Sequence, residues 1–429
     1  MKTARLATIS LILWALLGAG CQKVPKEVER PERIVSLRQV SYDSSTYAKL
    51  AQLWERYYEV YPSEDAYANW MYAARYAELS NYGSMLSKGV EKYPSNPVLL
   101  YLAGREKTPS PGNLEGRQLQ ERAAALDPSY MDPWHALVIE YLAQGDRENA
   151  DAALRRLLNG RAVEDEIMDF SYNMIASMDT NAIVITNGDN DTYPGWILTR
   201  IIRFRPDVNI VNRALLNTDW YASEIVKEGV PAFVSQGELD SLKAQMSADI
   251  EKIKSGKISD QDFAPAGDRL IVRLIEAAER SGRPVYFTCT LELESSGLLK
   301  QFVTQGRRLG LITLVTHTST PYPTQLRKLF STWTTEFRTG GLDSWQLRAA
   351  GEARAGRRLV RNYASALVSL KDQIEAAGPD VQLSLFRWYR KHLVDLIPKG
   401  YVNDVNKMWC GPVSSQEIRD WCRAQGLAK

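Results

Sequence analysis

Between Ala182 and Trp196 the sequence AIVITNGDNDTYPGW carries a short apolar run into Asn187, Asp189, Asn190, Asp191 and Thr192. A second stretch, VNIVNRALLNTDWY from Val208 to Tyr221, ends in the same style with Asn217, Thr218, Asp219, Trp220 and Tyr221. A buried parallel strand that delivers polar side chains to the rim of a sheet has this pattern. A right-handed crossover through a helix over Gly195–Phe204 would set the two strands parallel, with their carboxyl ends at one edge. Asp189, Asp191 and Asp219 could then hold Mg²⁺, Mn²⁺ or Ca²⁺, because hard cations take oxygen ligands. Two of them could instead divide acid and base work if their surroundings push their pKa values apart. Trp196, Trp220 and Tyr221 would suit a sugar ring, and the free amides of a helix start are a further binding resource.

The competing account is structural. Asn-Gly and Asp-Asn-Asp form turns, Asp191 or Thr192 can cap a helix, Pro194 fits a first helical turn, and Thr218-Asp219 can cap the next helix. Taken singly, each residue is explained by that account. The two clusters together exceed what capping needs and define the candidate ligand site.

Other chemistry has little support. The three histidines, His135, His317 and His392, fall in three separate regions, which argues against a histidine zinc site or a histidine-dependent triad. No glycine-rich dinucleotide or phosphate-loop motif follows a strand. No cofactor is expected, with a divalent cation at the three aspartates left open. Cys289, inside PVYFTCTL, reads as a buried small hydrophobe. Cys410 and Cys422 flank a turn and helix start; an oxidising compartment would let them pair, and two free thiols are the alternative.

The elements that must position these residues fall into segments. Lys2 and Arg5 precede an apolar run, Leu6 to Leu17, too short to span a bilayer, and then Gly18-Ala19-Gly20-Cys21. This reads as an export signal over residues 1–20, and the small residues before Cys21 resemble a bacterial lipoprotein box in which that cysteine is lipidated. Leu17 stands one place earlier than such boxes usually have it. Gln22 favours the outer membrane over other sites on the periplasmic face. Removing Lys2 and Arg5 from 53 basic residues balances the 51 acidic ones, which gives no electrostatic case for nucleic acid.

Residues 21–43 read as a tether. From Ser44 apolar residues recur at helical spacing, and Pro62, Pro94 and Pro128 punctuate the run. Trp134, Leu137, Tyr141, Gly145, Ala150 and Leu154 match tetratricopeptide spacing, so residues 44–160 are expected to form a short helical solenoid, with His135 a helical packing residue. Over 161–320 the rhythm alternates between strand and helix. Strands are expected at Ala182–Thr186, Val208–Leu216, Pro284–Leu291 and Leu311–His317. The expected class is α/β with all-α flanks: a central Rossmann-like, mostly parallel sheet, with a helical region over 321–429.

The stretches AIVITNGDNDTYPGW, RPDVNIVNRALLNTDWY, RPVYFTCTL and LGLITLVT, and more loosely GRRLVRNYASALVSL at Gly356–Leu370, resemble the soluble C-terminal region of a bacterial membrane-protein family. That family is related to protein O-mannosyltransferases of the multi-spanning GT-C type. The resemblance implies an extracytoplasmic α/β module. Sugar transfer in that family is attributed to a membrane-embedded core, and this sequence has no long apolar run besides the export signal, so transferase activity does not carry over.

The expected role is therefore a non-catalytic, lipid-anchored cell-envelope module. The tetratricopeptide-like array would bind a protein partner, the lipid on Cys21 would meet the membrane, and the Asp-rich edge would take a polar or glycan ligand. The alternative is a metal-assisted enzyme acting on glycans or glycoproteins through Asp189, Asp191 and Asp219.

Overall fold

Ile183–Thr186 is a run of β-branched residues, all four buried, and it forms the centre of a small sheet. The computed structural model describes residues 28–108, 112–257, 264–291, 293, 296–411 and 415–427. The expected export signal, Cys21 and the first part of the expected tether lie outside the described residues. The chain divides into two compact units: Asp43–Leu99 with the described residues before Val35, and Val35–Tyr42 with Leu100 onward. The division falls inside helix Pro97–Lys107.

In the first unit, helix Ser44–Val60 is capped by Asp43, whose side chain accepts from the Thr46 amide at 2.8 Å. Ser63 caps helix Glu64–Tyr76 in the same way. Trp54 is fully buried and donates its indole N–H to the Glu32 carbonyl at 2.9 Å. This satisfies the polar end of a large apolar side chain.

The second unit contains strands β1 (Ile183–Thr186), β2 (Asn209–Asn212), β3 (Val285–Thr288), β4 (Arg307–Leu309) and β5 (Ile312–Leu314), in the order β2-β1-β3-β5-β4. β1 runs parallel to β2, with Thr186 opposite Asn212, and parallel to β3. β5 runs antiparallel to both β3 and β4.

This overturns the expected Rossmann-like class. The protein is helix-dominated, 63% helical, with one small mixed sheet rather than a central parallel sheet. Two physical causes stand out. Helix Gly297–Gln305 stops at Gly306, where a Cβ would lie 2.7 Å from the Phe302 carbonyl oxygen. The chain then enters β4 and turns back through Gly310, at φ +71°, into β5. A two-residue hairpin loop with glycine first has this geometry, and it reverses the last strand.

The second cause is the core. The helices flanking the sheet in sequence are not separate layers: Leu137, Phe170, Ile185, Phe287, Trp333, Tyr363 and Trp388 belong to one continuous buried cluster. Helical periodicity shows that a segment has an apolar face, but not which partner covers it.

Val35–Tyr42, read from sequence as tether, is docked in the second unit. Val40 bridges to Arg354, the Ser41 amide donates to the Ala353 carbonyl at 2.9 Å, and the Ala355 amide to that of Gln39 at 2.8 Å. Further along, Cys410 and Cys422 form a disulfide with Cα atoms 5.8 Å apart. Among the described residues no helix is long and apolar enough to cross a membrane.

Candidate functional site

The Asn/Asp cluster after β1 is the first turn of a helix. Helix Asp189–Trp196 starts six residues before the expected Gly195 because Gly188 is extended and Asp191 reaches back. Its carboxylate accepts the Asn187 and Gly188 amides, each at 2.9 Å, and the Thr290 hydroxyl beyond β3. Asp191 thus ties together the loops after β1 and β3. It is buried, and burial pushes its carboxyl above the ordinary value against the opposing pull of those three donors.

The two strand ends meet through a buried polar network. The Thr186 and Thr192 hydroxyls lie 2.7 Å apart, and the Asn212 side-chain amide donates to Thr192 at 2.9 Å. The Asn212 backbone N–H donates to the Tyr221 hydroxyl at 3.0 Å. Trp196 donates its indole N–H to the Ile210 carbonyl at 3.2 Å, and Gly195 lets the helix close on that side chain.

A recess of about 600 Å³ opens at the carboxyl end of β1. Asn187, Asp189, Asn190 and Asp191 line it, with Arg38, Ser41, Cys289, Thr290, Arg358 and Asn362 completing the polar wall, and Leu37, Leu291 and Leu359 adding apolar patches. Asn217, Thr218, Asp219, Trp220 and Tyr221 are not among its lining residues. Asn217 accepts the Gly267 amide at 2.9 Å and so caps helix Ala266–Arg280, while the Thr218 hydroxyl donates to the Leu215 carbonyl at 2.6 Å. Trp220 packs edge-on against the buried Tyr221, and Asp219 is exposed. The structure therefore brings the first cluster into a recess and gives Asn217 and Thr218 capping and turn roles.

The carboxylates of the first cluster are already engaged. Arg38 Nε lies 2.7 Å from Asp189 Oδ2, and its Nη1 is 3.1 Å from Asp132 Oδ1. Burial disfavours the Arg38 charge, but Asp189 and Asp132, with Tyr101, outweigh it and hold the guanidinium firmly protonated. The Asn190 amide donates to the Arg38 carbonyl at 3.2 Å, and Arg358 donates to the Ser41 carbonyl. Among the described residues no group of three His, Cys, Asp or Glu side chains is placed to hold a metal ion. Asp189, Asp191 and Asp219 do not form the trio that their sequence positions allowed.

Cys289 follows the end of β3 and is solvent-exposed, not a buried hydrophobe. It lines the recess beside Thr290. His135 is buried, with its ring edge-on to Tyr193 at 4.8 Å; burial first, then Arg38, keeps it neutral.

Arg38, Ser41, Thr290, Arg358 and Asn362 were not singled out from sequence. Thr290 lies in RPVYFTCTL, and Arg358 and Asn362 lie in GRRLVRNYASALVSL, so the resemblance stretches held the available signal. Arg38 and Ser41 had none.

Residues 167–235 match a family model described as TMEM260-associated domain 2. The matched span contains β1, helix Asp189–Trp196, β2 and the Asn217–Tyr221 cluster. It is compatible with a relationship to the TMEM260 and O-mannosyltransferase-related family. No curated protein and no solved structure matches the chain.

Proposed function

We propose that the chain is a non-catalytic, extracytoplasmic binding module whose recess takes a neutral, hydroxyl-rich ligand of the glycan class. The observation that carries this reading is the state of the recess charges: Arg38 is paired with Asp189 and Asp132, and the Asp191 carboxylate is capped by amides. Arg358 is held by the Ser41 carbonyl, and sugar hydroxyls are matched by amides, hydroxyls and a small apolar surface. Asn187, Asn190, Asn362 and Thr290 supply the polar groups, and Leu291 and Leu359 the apolar ones. The first unit would capture a protein partner; Leu53 and Val60 of helix Ser44–Val60, and Tyr61 just after it, are exposed. A lipid on Cys21 would hold the module at the periplasmic face or outer membrane.

Calorimetric titration of the purified protein with neutral and with uronic-acid oligosaccharides tests the recess. Neutral sugars should bind, and Asn362→Ala should weaken them without changing the melting temperature. Binding of acidic sugars alone, or of neither, would refute the reading.

A further inference from the structure

At the amino end of the β1–β2 pair, away from the recess, a second cleft of about 260 Å³ lies beside β2, the outer strand of the sheet. Arg147, at the start of helix Arg147–Asn159, and Arg200 and Arg203, three residues apart beyond helix Asp189–Trp196, line it with Asp151, Glu228 and Asn209 at the start of β2. Arg147 and Arg200 are partly spent. Arg147 donates to Glu224 at 2.6 Å, and Arg200 pairs with Asp151 at 2.7 Å and more loosely with Glu228 at 3.3 Å. Arg203 is exposed, and among the described residues it forms no hydrogen bond or ion pair.

The backbone at Arg203 makes its identity informative. Helix Asp189–Trp196 continues into a π turn, Ile197–Ile201, which closes by the Phe204 amide donating to the Leu198 carbonyl at 2.8 Å. Arg203 occupies the left-handed position of that closure, at φ +64°. Helix ends of this kind take glycine by default, because a Cβ there is strained. Glycine would fit this backbone without strain, and the arginine at 203, one of five non-glycine residues with positive φ among the described residues, adds an unpaired charge beside a cleft that already holds two guanidiniums.

We infer that this cleft is a binding site for a phosphate-type oxyanion, with Arg203 as its principal contact and Arg147 and Arg200 behind it. Guanidiniums pair with phosphate oxygens through two N–H donors each, and a phosphate offers more acceptor oxygens than one carboxylate. Glu228 is the group an anion would displace, since its contacts with Arg200 at 3.3 Å and with Arg147 at 3.6 Å are both long and burial pushes its carboxyl upward. The cleft has room for an organic group attached to the phosphate.

The test is calorimetric titration of the full-length protein with inorganic phosphate and, separately, with glycerophosphoglycerol, a lipid head group without its acyl chains, at fixed chloride. Arg203→Gly should bind phosphate roughly tenfold or more weakly, as expected for loss of one charge-assisted contact. In the absence of anion it should melt at or above the wild-type temperature, because glycine relieves the backbone. Arg203→Lys, which keeps the charge, should retain measurable binding. Tighter binding of the head group would assign a lipid source, and binding of inorganic phosphate alone a free one. No binding of either anion to the wild type, or unchanged binding by Arg203→Gly, would overturn the proposal. So would a lower melting temperature for Arg203→Gly, which would make Arg203 a folding residue.

Discussion

Replacing Asp191 by Ala and by Asn separates two opposing effects at the floor of the recess. The carboxylate accepts the Asn187 and Gly188 amides at 2.9 Å and the Thr290 hydroxyl, with the Thr288 hydroxyl at 3.4 Å. Alanine leaves these donors without their acceptor. Each buried unpaired donor costs about 1–3 kcal/mol, but the recess admits water to part of the set, so Asp191→Ala should lose about 2–3 kcal/mol. Asparagine keeps the shape and one oxygen, and it removes the cost of burying a charge.

The pH dependence decides between those terms. Burial raises the Asp191 carboxyl in the folded state, so the folded protein binds its proton more tightly than the unfolded chain does. The corresponding stability is complete below the ordinary carboxyl value, about 3.9, and is lost as pH rises through the raised folded value. The stability of wild type minus that of Asp191→Asn should therefore be largest in acid. It should shrink with rising pH, by about 1.4 kcal/mol for each pH unit by which the carboxyl is raised. Urea unfolding of both proteins between pH 3 and 8, followed by circular dichroism, measures that difference. A difference that grows with pH would mean that the amides outweigh burial, and the reasoning would fail.

Three further outcomes are expected. Arg38→Ala removes a guanidinium shared by Asp189 and the nearly buried Asp132 and should cost about 2–4 kcal/mol; amide exchange across residues 35–42 should accelerate, and unchanged protection there would contradict the docked strap. Gly341→Ala would place a Cβ 2.3 Å from the Glu166 backbone, so the loop must shift and stability should fall by about 3 kcal/mol in thermal unfolding. Reducing the Cys410–Cys422 bond, which closes a separation of 12 residues, should lower stability by about 3 kcal/mol; equal urea midpoints with and without reductant would contradict this.

Several local features were legible from residue types. Ala182–Thr186 contains β1, and Pro284–Leu291 contains β3, because short β-branched runs bounded by turn formers have few alternatives. The polar cluster at Asn187–Thr192 was visible as a concentration of acceptors at a strand end, although the helix begins inside it. The pairing of the last strand was not legible. β4 carries Arg307 and Arg308, and no alternation of polar and apolar residues marks it as a strand. The hairpin depends on Gly310 adopting a conformation that a sequence permits without requiring.

Composition and patterning alone determined that the chain carries many amphipathic helices and a few short strands, with an acidic cluster after the first strand and near-balanced charge. Those properties depend on residue identity and short-range spacing. Tertiary structure alone decided that Arg38, from a stretch that looked like tether, reaches Asp189, and that Asp219 does not line the recess Asp189 helps form. It also decided that the C-terminal helices share one core with the sheet. Side chains from distant segments meet only after the chain has packed, and apolar periodicity marks a face to be buried without naming what buries it.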